Sequence, residues 1–224
     1  MKKNITIFML SALCLVSCSK PAAAQQVTME ADVSRLTKVM SLLSDDARNA
    51  IPNGDAGEFL NDLYTVLDSD KDDLLILCDK THPVGKSYAP SDIVKLVKNN
   101  DYSISRNDLS LRRIAESNLR LMAQAAKKDG ITLLVSSSYR SYDYQVVVYN
   151  RLVKMQGQEI TDRESARPGT SQHQLGTAID FGSIDDSWAK TDACKWLNAH
   201  AEDYGWSLSF PDGYEKATGY RWEC

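Results

Sequence analysis

Helix-period stretches and short apolar, β-rich runs follow one another along this chain without internal repeats and without regular βαβ alternation. That mixture constrains the fold most, because it favours an α+β domain with a small, mainly antiparallel sheet flanked by helices over a doubly wound one. Leu74 to Leu77 reads as a strand. A long helix is expected from about Asp108 to Lys128: Leu111, Ile114, Ala115, Asn118, Leu119, Met122 and Ala125 or Ala126 share a face, Asp108 can cap the start, and Gly130 suits the exit. Ile131 to Val135 is a β-rich run and Tyr142 to Val153 again has helical spacing. Leu175 to Phe181 reads as a strand, Trp188 to Tyr204 as a helix stopped by Gly205, and Trp206 to Phe210 as a strand. Before these, Val33, Leu36, Met40 and Leu43 recur at helical spacing, as do Phe59, Leu60, Leu63 and Leu67 after the Pro52-Asn53-Gly54 break. A helical N-terminal segment over 28–70 is therefore expected ahead of a main domain over 71–224. Asp68 to Asp73 could be mistaken for a calcium loop, but it lacks the glycine and the distal glutamate of an EF-hand and reads as a solvated turn.

The N-terminus bears on the compartment. Lys2 and Lys3 precede an apolar run from Ile5 to Val16 that is too short to span a bilayer as an ordinary helix, so residues 1–17 read as a signal peptide. Leu15-Val16-Ser17-Cys18 resembles the lipobox of bacterial lipoproteins. It implies a mature chain that begins at a lipid-carrying Cys18, a tether over 18–27, and an extracytoplasmic, membrane-anchored protein of the bacterial cell envelope; the alternative is cleavage to a soluble secreted form. Removal of Lys2 and Lys3 takes the formal charge from −4 to −6, and an acidic chain without a basic cluster argues against nucleic acid as a partner. Cys78, Cys194 and Cys224 remain in an oxidising setting, where one disulfide plus one free thiol is possible and the pairing is open.

The densest cluster of polar, glycine and histidine residues runs from Pro168 to Asp180. If Leu175 to Phe181 is a strand, Gly176, Ala178 and Asp180 share one face, and a carboxylate stands beside two minimal neighbours with His173 at the entrance. An imidazole nitrogen and a carboxylate oxygen suit zinc, which in catalytic sites takes three protein ligands plus water. The pair taken alone is equally compatible with a surface turn, and Arg140 taken alone with a surface salt bridge.

Ser171-x-His173-x-x-Gly176-x-Ala178-x-Asp180, preceded by Ser138-Tyr139-Arg140-Ser141 and Gln145, resembles the signature of VanY-type D-alanyl-D-alanine carboxypeptidases, zinc metallopeptidases related to the D,D-dipeptidases. Lys80-Thr81-His82-Pro83, Tyr88-x-Pro90-x-Asp92, Asp129-Gly130, Trp196-Leu197 and Tyr204-Gly205-Trp206 agree, so the likeness runs from about Leu74 to the end. The resemblance implies a zinc carboxypeptidase acting on peptidoglycan stem peptides that end in D-alanine. It implies His173 and Asp180 as zinc ligands, Arg140 as the group that faces the substrate and steadies the oxyanion, and Ser138, Gln145 and Ser171 around the terminal D-alanine. Chemically this is coherent: zinc lowers the pKa of a water it binds to about 7, and a guanidinium holds a carboxylate or developing oxyanion with a charge it cannot lose.

The third family ligand is a histidine in Glu-x-Trp-His, whose glutamate is the general base. Glu223 matches that glutamate and Cys224 the variable position, so the tryptophan and histidine would fall beyond residue 224. The expectation is that the sequence stops short of the ligand or belongs to a disabled relative, a noncatalytic wall-binding module. His200 and the Cys224 thiolate are the other conceivable donors, and His82 matches a family histidine that is not a ligand. Penicillin-binding-type serine chemistry is rejected: Ser17-Cys18-Ser19-Lys20 lies across the cleavage site, and no Ser-Asp-Asn or Lys-Thr-Gly follows.

Overall fold

A computed structural model describes residues 22–41, 55–183 and 185–223. The signal peptide, Cys18, Leu43, the Pro52-Asn53-Gly54 break and Cys224 lie outside them. The chain divides into two compact units, Met1–Lys71 and Asp72–Cys224.

In the first unit, α1 (Ala22–Met40) packs against α2 (Ala56–Ser69). Helix α1 starts within the stretch read as a tether. Asp55 caps α2 by accepting from Gly57 N at 2.7 Å and Glu58 N at 3.0 Å, which satisfies two of the amide groups that a helix start leaves open. The Tyr64 hydroxyl donates to Asp32 Oδ2 at 2.5 Å and links the two helices.

The second unit has mixed helices and two small sheets. Strands β1 (Ile93–Lys95) and β3 (Ser110–Arg112) form an antiparallel pair, with Val94 opposite Leu111. Strand β2 (Ser103–Ile104) runs parallel to β4 (Leu134–Ser137), and β4 runs antiparallel to β5 (Asp180–Phe181). Parallel strands leave a sheet at the same end, and an antiparallel neighbour enters there. Ser137 at the end of β4 therefore lies opposite Asp180 at the start of β5, helped by a register shift between Val135 and Ser137. Helix α3 (Arg113–Lys128) buries Ala115, Leu119, Met122, Ala123 and Ala126 against a core that includes Leu96, Leu109, Leu111, Leu133, Val135 and Trp196. Burial of side chains such as Leu119 and Met122 stabilises the fold by about 1.5–3 kcal/mol each relative to leaving them exposed. Helices α4 (Tyr142–Gln156) and α5 (Gln158–Glu164) follow β4; α6 (Asp192–His200) and the short α7 (Glu215–Thr218) follow β5.

Several expected boundaries are corrected. Leu74 to Leu77 is not a strand: Leu75 and Leu77 are exposed, and Arg112 Nη1 ties the approach by donating to Asp72 O at 2.6 Å and Asp73 O at 3.2 Å. The long helix begins at Arg113, because Ser110–Arg112 pair with β1; Asp108 bonds Arg106 at 2.8 Å and caps nothing. The β-rich run shifts to Leu134–Ser137. Leu175 to Phe181 is mostly not a strand: Gln172–Leu175 is a 3-10 turn that ends on left-handed Gly176. A Cβ at Gly176 would stand 2.8 Å from Ile93 Cδ1 and 2.9 Å from Arg112 Cγ, so this glycine permits packing on β1 and β3, not ligand access. The helix expected over Trp188 to Tyr204 is interrupted at Thr191, whose hydroxyl caps α6 by accepting from Cys194 N at 3.2 Å. Trp206 to Phe210 is irregular; Trp206 N instead donates to Ala201 O at 3.0 Å, closing the preceding turn. Cys194 is disulfide-bonded, and Cys78 is a free thiol with 3% exposure.

Candidate active site

At the shared end of β4 and β5, His173 Nε2 lies 3.3 Å from Asp180 Oδ2. The other ring nitrogen, Nδ1, is 2.8 Å from Ser138 O. Donation of Nδ1–H to that carbonyl turns Nε2 toward the carboxylate, the arrangement that orients a histidine for a metal. The 3-10 turn is fixed from behind. Arg140 N donates to His173 O at 3.1 Å, and fully buried Gln174 donates from Nε2 to Gly85 O at 2.8 Å and Tyr88 O at 3.0 Å.

Arg140 is held edge-on: Nη1 donates to Gln145 Oε1 at 2.8 Å and Nη2 to Ser137 Oγ at 3.0 Å. Gln145 is almost wholly buried and is fixed by its own donation to Ala166 O at 2.6 Å. Burial pulls the Arg140 guanidinium below its usual value, and the Asp180 carboxylate opposes this. Burial by itself would raise Asp180; His173, Arg140 and the Ser137 hydroxyl outweigh it and hold the carboxyl below the ordinary range. Ser137 is thus shared by Arg140 and Asp180, yet nothing in Ser136-Ser137-Ser138 marked it out by type. The β4–β5 register does so.

Ser138 and Ser171 are buried beside this cluster. The Ser138 hydroxyl accepts from Ser110 N at 3.0 Å and its carbonyl orients His173, so its visible contacts are to the scaffold. The Glu223 residue keeps exposed surface, but its carboxyl is pushed up, first by burial and then by Asp180, with His173, Arg140 and Arg221 pulling it down. Glu223 is therefore within electrostatic reach of His173, Asp180 and Arg140. The segment behind it is fastened by Glu223 N to Phe210 O at 2.9 Å, Arg221 N to Arg163 O at 3.1 Å, and Arg221 Nη2 to Asp186 Oδ2 at 2.5 Å.

Neither of the other two histidines joins this pair. His82 Nδ1 pairs with Asp79 Oδ1 at 2.9 Å, and His200 packs on the Trp196 ring with centroids 4.8 Å apart. Among the described residues, no group of three His, Cys, Asp or Glu side chains gathers as a metal site. The chemistry of the pair still fits zinc as two of its ligands: one oriented imidazole and one ionised carboxylate. The sequence also holds a second Ser-x-x-Lys, Ser187 to Lys190. It forms an exposed 3-10 turn outside this cluster and gives serine chemistry no support.

A mixed α+β unit carrying a His–Asp pair, a half-buried arginine and a carboxyl of raised pKa defines a hydrolase-like site. The VanY family, described as D-alanyl-D-alanine carboxypeptidase, matches residues 108–224, and the chain belongs to it. The YodJ protein of Bacillus subtilis (strain 168) is 31% identical over 160 residues, 68% of this chain and 58% of that protein. A D-alanyl-D-alanine carboxypeptidase of Enterococcus faecium is 27% identical over 154 residues, 66% of this chain and 48% of the relative. The chain thus spans about half the length of these relatives. The LdcB LD-carboxypeptidase, whose structure describes peptidoglycan recognition, superposes with a TM-score of 0.59 at 31% identity over 66% of this chain and 72% of that one.

Proposed function

We propose that this protein is a zinc-dependent carboxypeptidase that removes a terminal D-alanine from peptidoglycan stem peptides. The observation that carries the reading is the convergence of His173 Nε2 and Asp180 Oδ2 at 3.3 Å next to a fixed Arg140. His173 and Asp180 would hold the zinc, which when bound supplies a Lewis acid that activates water. Glu223 takes up the proton released as water attacks the peptide carbonyl, and its raised pKa suits a group that must accept and then return a proton. Arg140 donates to the oxygen on which charge develops, or to the substrate carboxylate. Gln145 and Ser137 keep its guanidinium plane in place, so little reorganisation is needed. Ser138 orients His173, while Ser171 and Gln145 border the terminal D-alanine. Family membership and the likeness to the LdcB LD-carboxypeptidase support this chemistry. The rival reading is a noncatalytic peptidoglycan-binding module.

The experiment is zinc content by elemental analysis together with D-alanine release from pentapeptide and tetrapeptide stem peptides. Stoichiometric zinc with release from either peptide supports the enzyme, and the faster one names the specificity. Peptide binding without zinc or release would establish the rival. Among the described residues no helix is long and apolar enough to cross a membrane. We infer anchoring to the envelope membrane through a lipid on Cys18, from the Leu15 to Cys18 pattern. Cys18→Ala should abolish partition into detergent, and an unmodified mature N-terminus elsewhere would refute the anchor.

A further inference from the structure

The Lys80-Thr81-His82-Pro83 stretch takes no part in the chemistry above, yet its lysine reaches the segment that ends in Glu223. Lys80 Nζ donates to Gly219 O at 2.5 Å and to Asp162 O at 2.6 Å, and it stands 4.1 Å from the centroid of the Tyr220 ring. Gly219 lies at φ +73, and a Cβ there would be 3.2 Å from Lys80 Cδ and Nζ, so the lysine stem occupies the space that the glycine leaves open. Both anchors of this bridge are fixed. Asp79 locks the Lys80 turn by accepting from Thr81 N at 2.7 Å and His82 N at 2.8 Å. Asp162 is held in α5 by the Tyr149 hydroxyl at 2.7 Å and by Arg167 at 2.9 and 2.7 Å. A compact ammonium with several donors can satisfy two carbonyls and face a ring at once.

We propose that Lys80 is a positioning residue for Glu223: by pinning Gly219 and Tyr220 to α5 it sets where the strap over 219–223 begins, and so where the Glu223 carboxylate stands relative to His173 and Asp180. The inference rests on the reading of Glu223 as proton acceptor. Lys80 itself is exposed and outside the core cluster, so its loss acts on the strap and not on the packing around Leu119 and Met122.

The test compares Lys80→Met, Lys80→Arg and a distant control, Lys195→Met, in the full chain by two readouts. Amide hydrogen exchange in metal-free protein should be about 10-fold faster at Arg221 and Glu223 in Lys80→Met, with Ser105, bonded to Val135 O, unchanged as the mark of an intact fold. D-alanine release with zinc present should show kcat lowered about 10-fold or more with KM within about twofold, since a displaced base costs turnover and not ground-state binding. Zinc content should be unaltered. Lys80→Arg should recover part of both effects, and Lys195→Met should change neither. Unchanged exchange at Glu223 in Lys80→Met overturns the proposal, as does faster exchange with unchanged kcat, or a loss borne by KM alone. If the wild type releases no D-alanine, the carboxypeptidase reading has failed, and the exchange data separately decide whether Lys80 holds the strap.

Discussion

His173, Asp180 and Arg140 stand on or beside the end of a three-stranded sheet, where ladder pairing, backbone bonds and buried side chains each fix the same geometry. Glu223 stands on a segment that joins no strand and is kept in place by separate bonds to Phe210, Arg163, Asp186 and Lys80. On the first side the placement is over-determined, and removal of one contact leaves others in force. On the second, each bond constrains a different point along the strap. Glu223, the proposed proton acceptor, is therefore the part of the site that can be displaced while the proposed metal-donor pair of His173 and Asp180 survives.

The largest effect should come from the over-determined side. His173→Ala or Asp180→Ala should lose zinc and drop D-alanine release to background, with the fold retained; full zinc by elemental analysis in either variant would break the assignment of the pair. Glu223→Gln should keep zinc yet lower turnover by about 10²–10⁴-fold, the usual span for a general base. If that variant also loses metal, the two sides are not separable. Arg140→Ala should lower turnover by about 100-fold with metal content intact; near-wild-type turnover would remove Arg140 from the site. The smallest effect belongs to the anchor of the strap. Arg167 and Tyr149 hold the Asp162 carboxyl well below the ordinary carboxylate range, so it contributes stability that is present above the unfolded pKa of about 3.9 and is lost as pH falls toward the folded value. Asp162→Asn should thus be less stable at neutral pH and show a shallower loss below about pH 4 in thermal unfolding. Parallel wild-type and variant curves would contradict this.

The sequence made the over-determined side more legible than the strap. His173, Asp180, Arg140 and Gln145 were marked by a motif, and the face Ala115, Leu119, Met122 and Ala126 by helical period; the structure brings both sets together as groups. The strand reasoning that joined His173 to Asp180 was nevertheless wrong in mechanism. The alternation of Gly176, Ala178 and Asp180 is replaced by a 3-10 turn and a two-residue strand, because left-handed Gly176 packs on Ile93 and Arg112. Ser137 was missed since its role depends on which residue lies opposite, a register that no local pattern encodes. Leu74 to Leu77 and Trp206 to Phe210 show the converse: apolar, β-rich composition does not by itself make a segment a strand of a sheet. Lys80 lies 139 residues from Gly219, so its contact was not readable from spacing.

The Cys78 thiol offers a clock for the Glu223 side. It is 3% exposed, it is free, and burial pushes its pKa up, so in the closed protein it is both shielded and short of thiolate. It lies two positions before Lys80. A thiol-specific reagent can modify it only when that loop lifts away from its surroundings, and the labelling rate then reports the frequency of lifting. Occupancy of the active site by a substrate analogue should slow that labelling to the extent that ligand binding and loop closure are coupled.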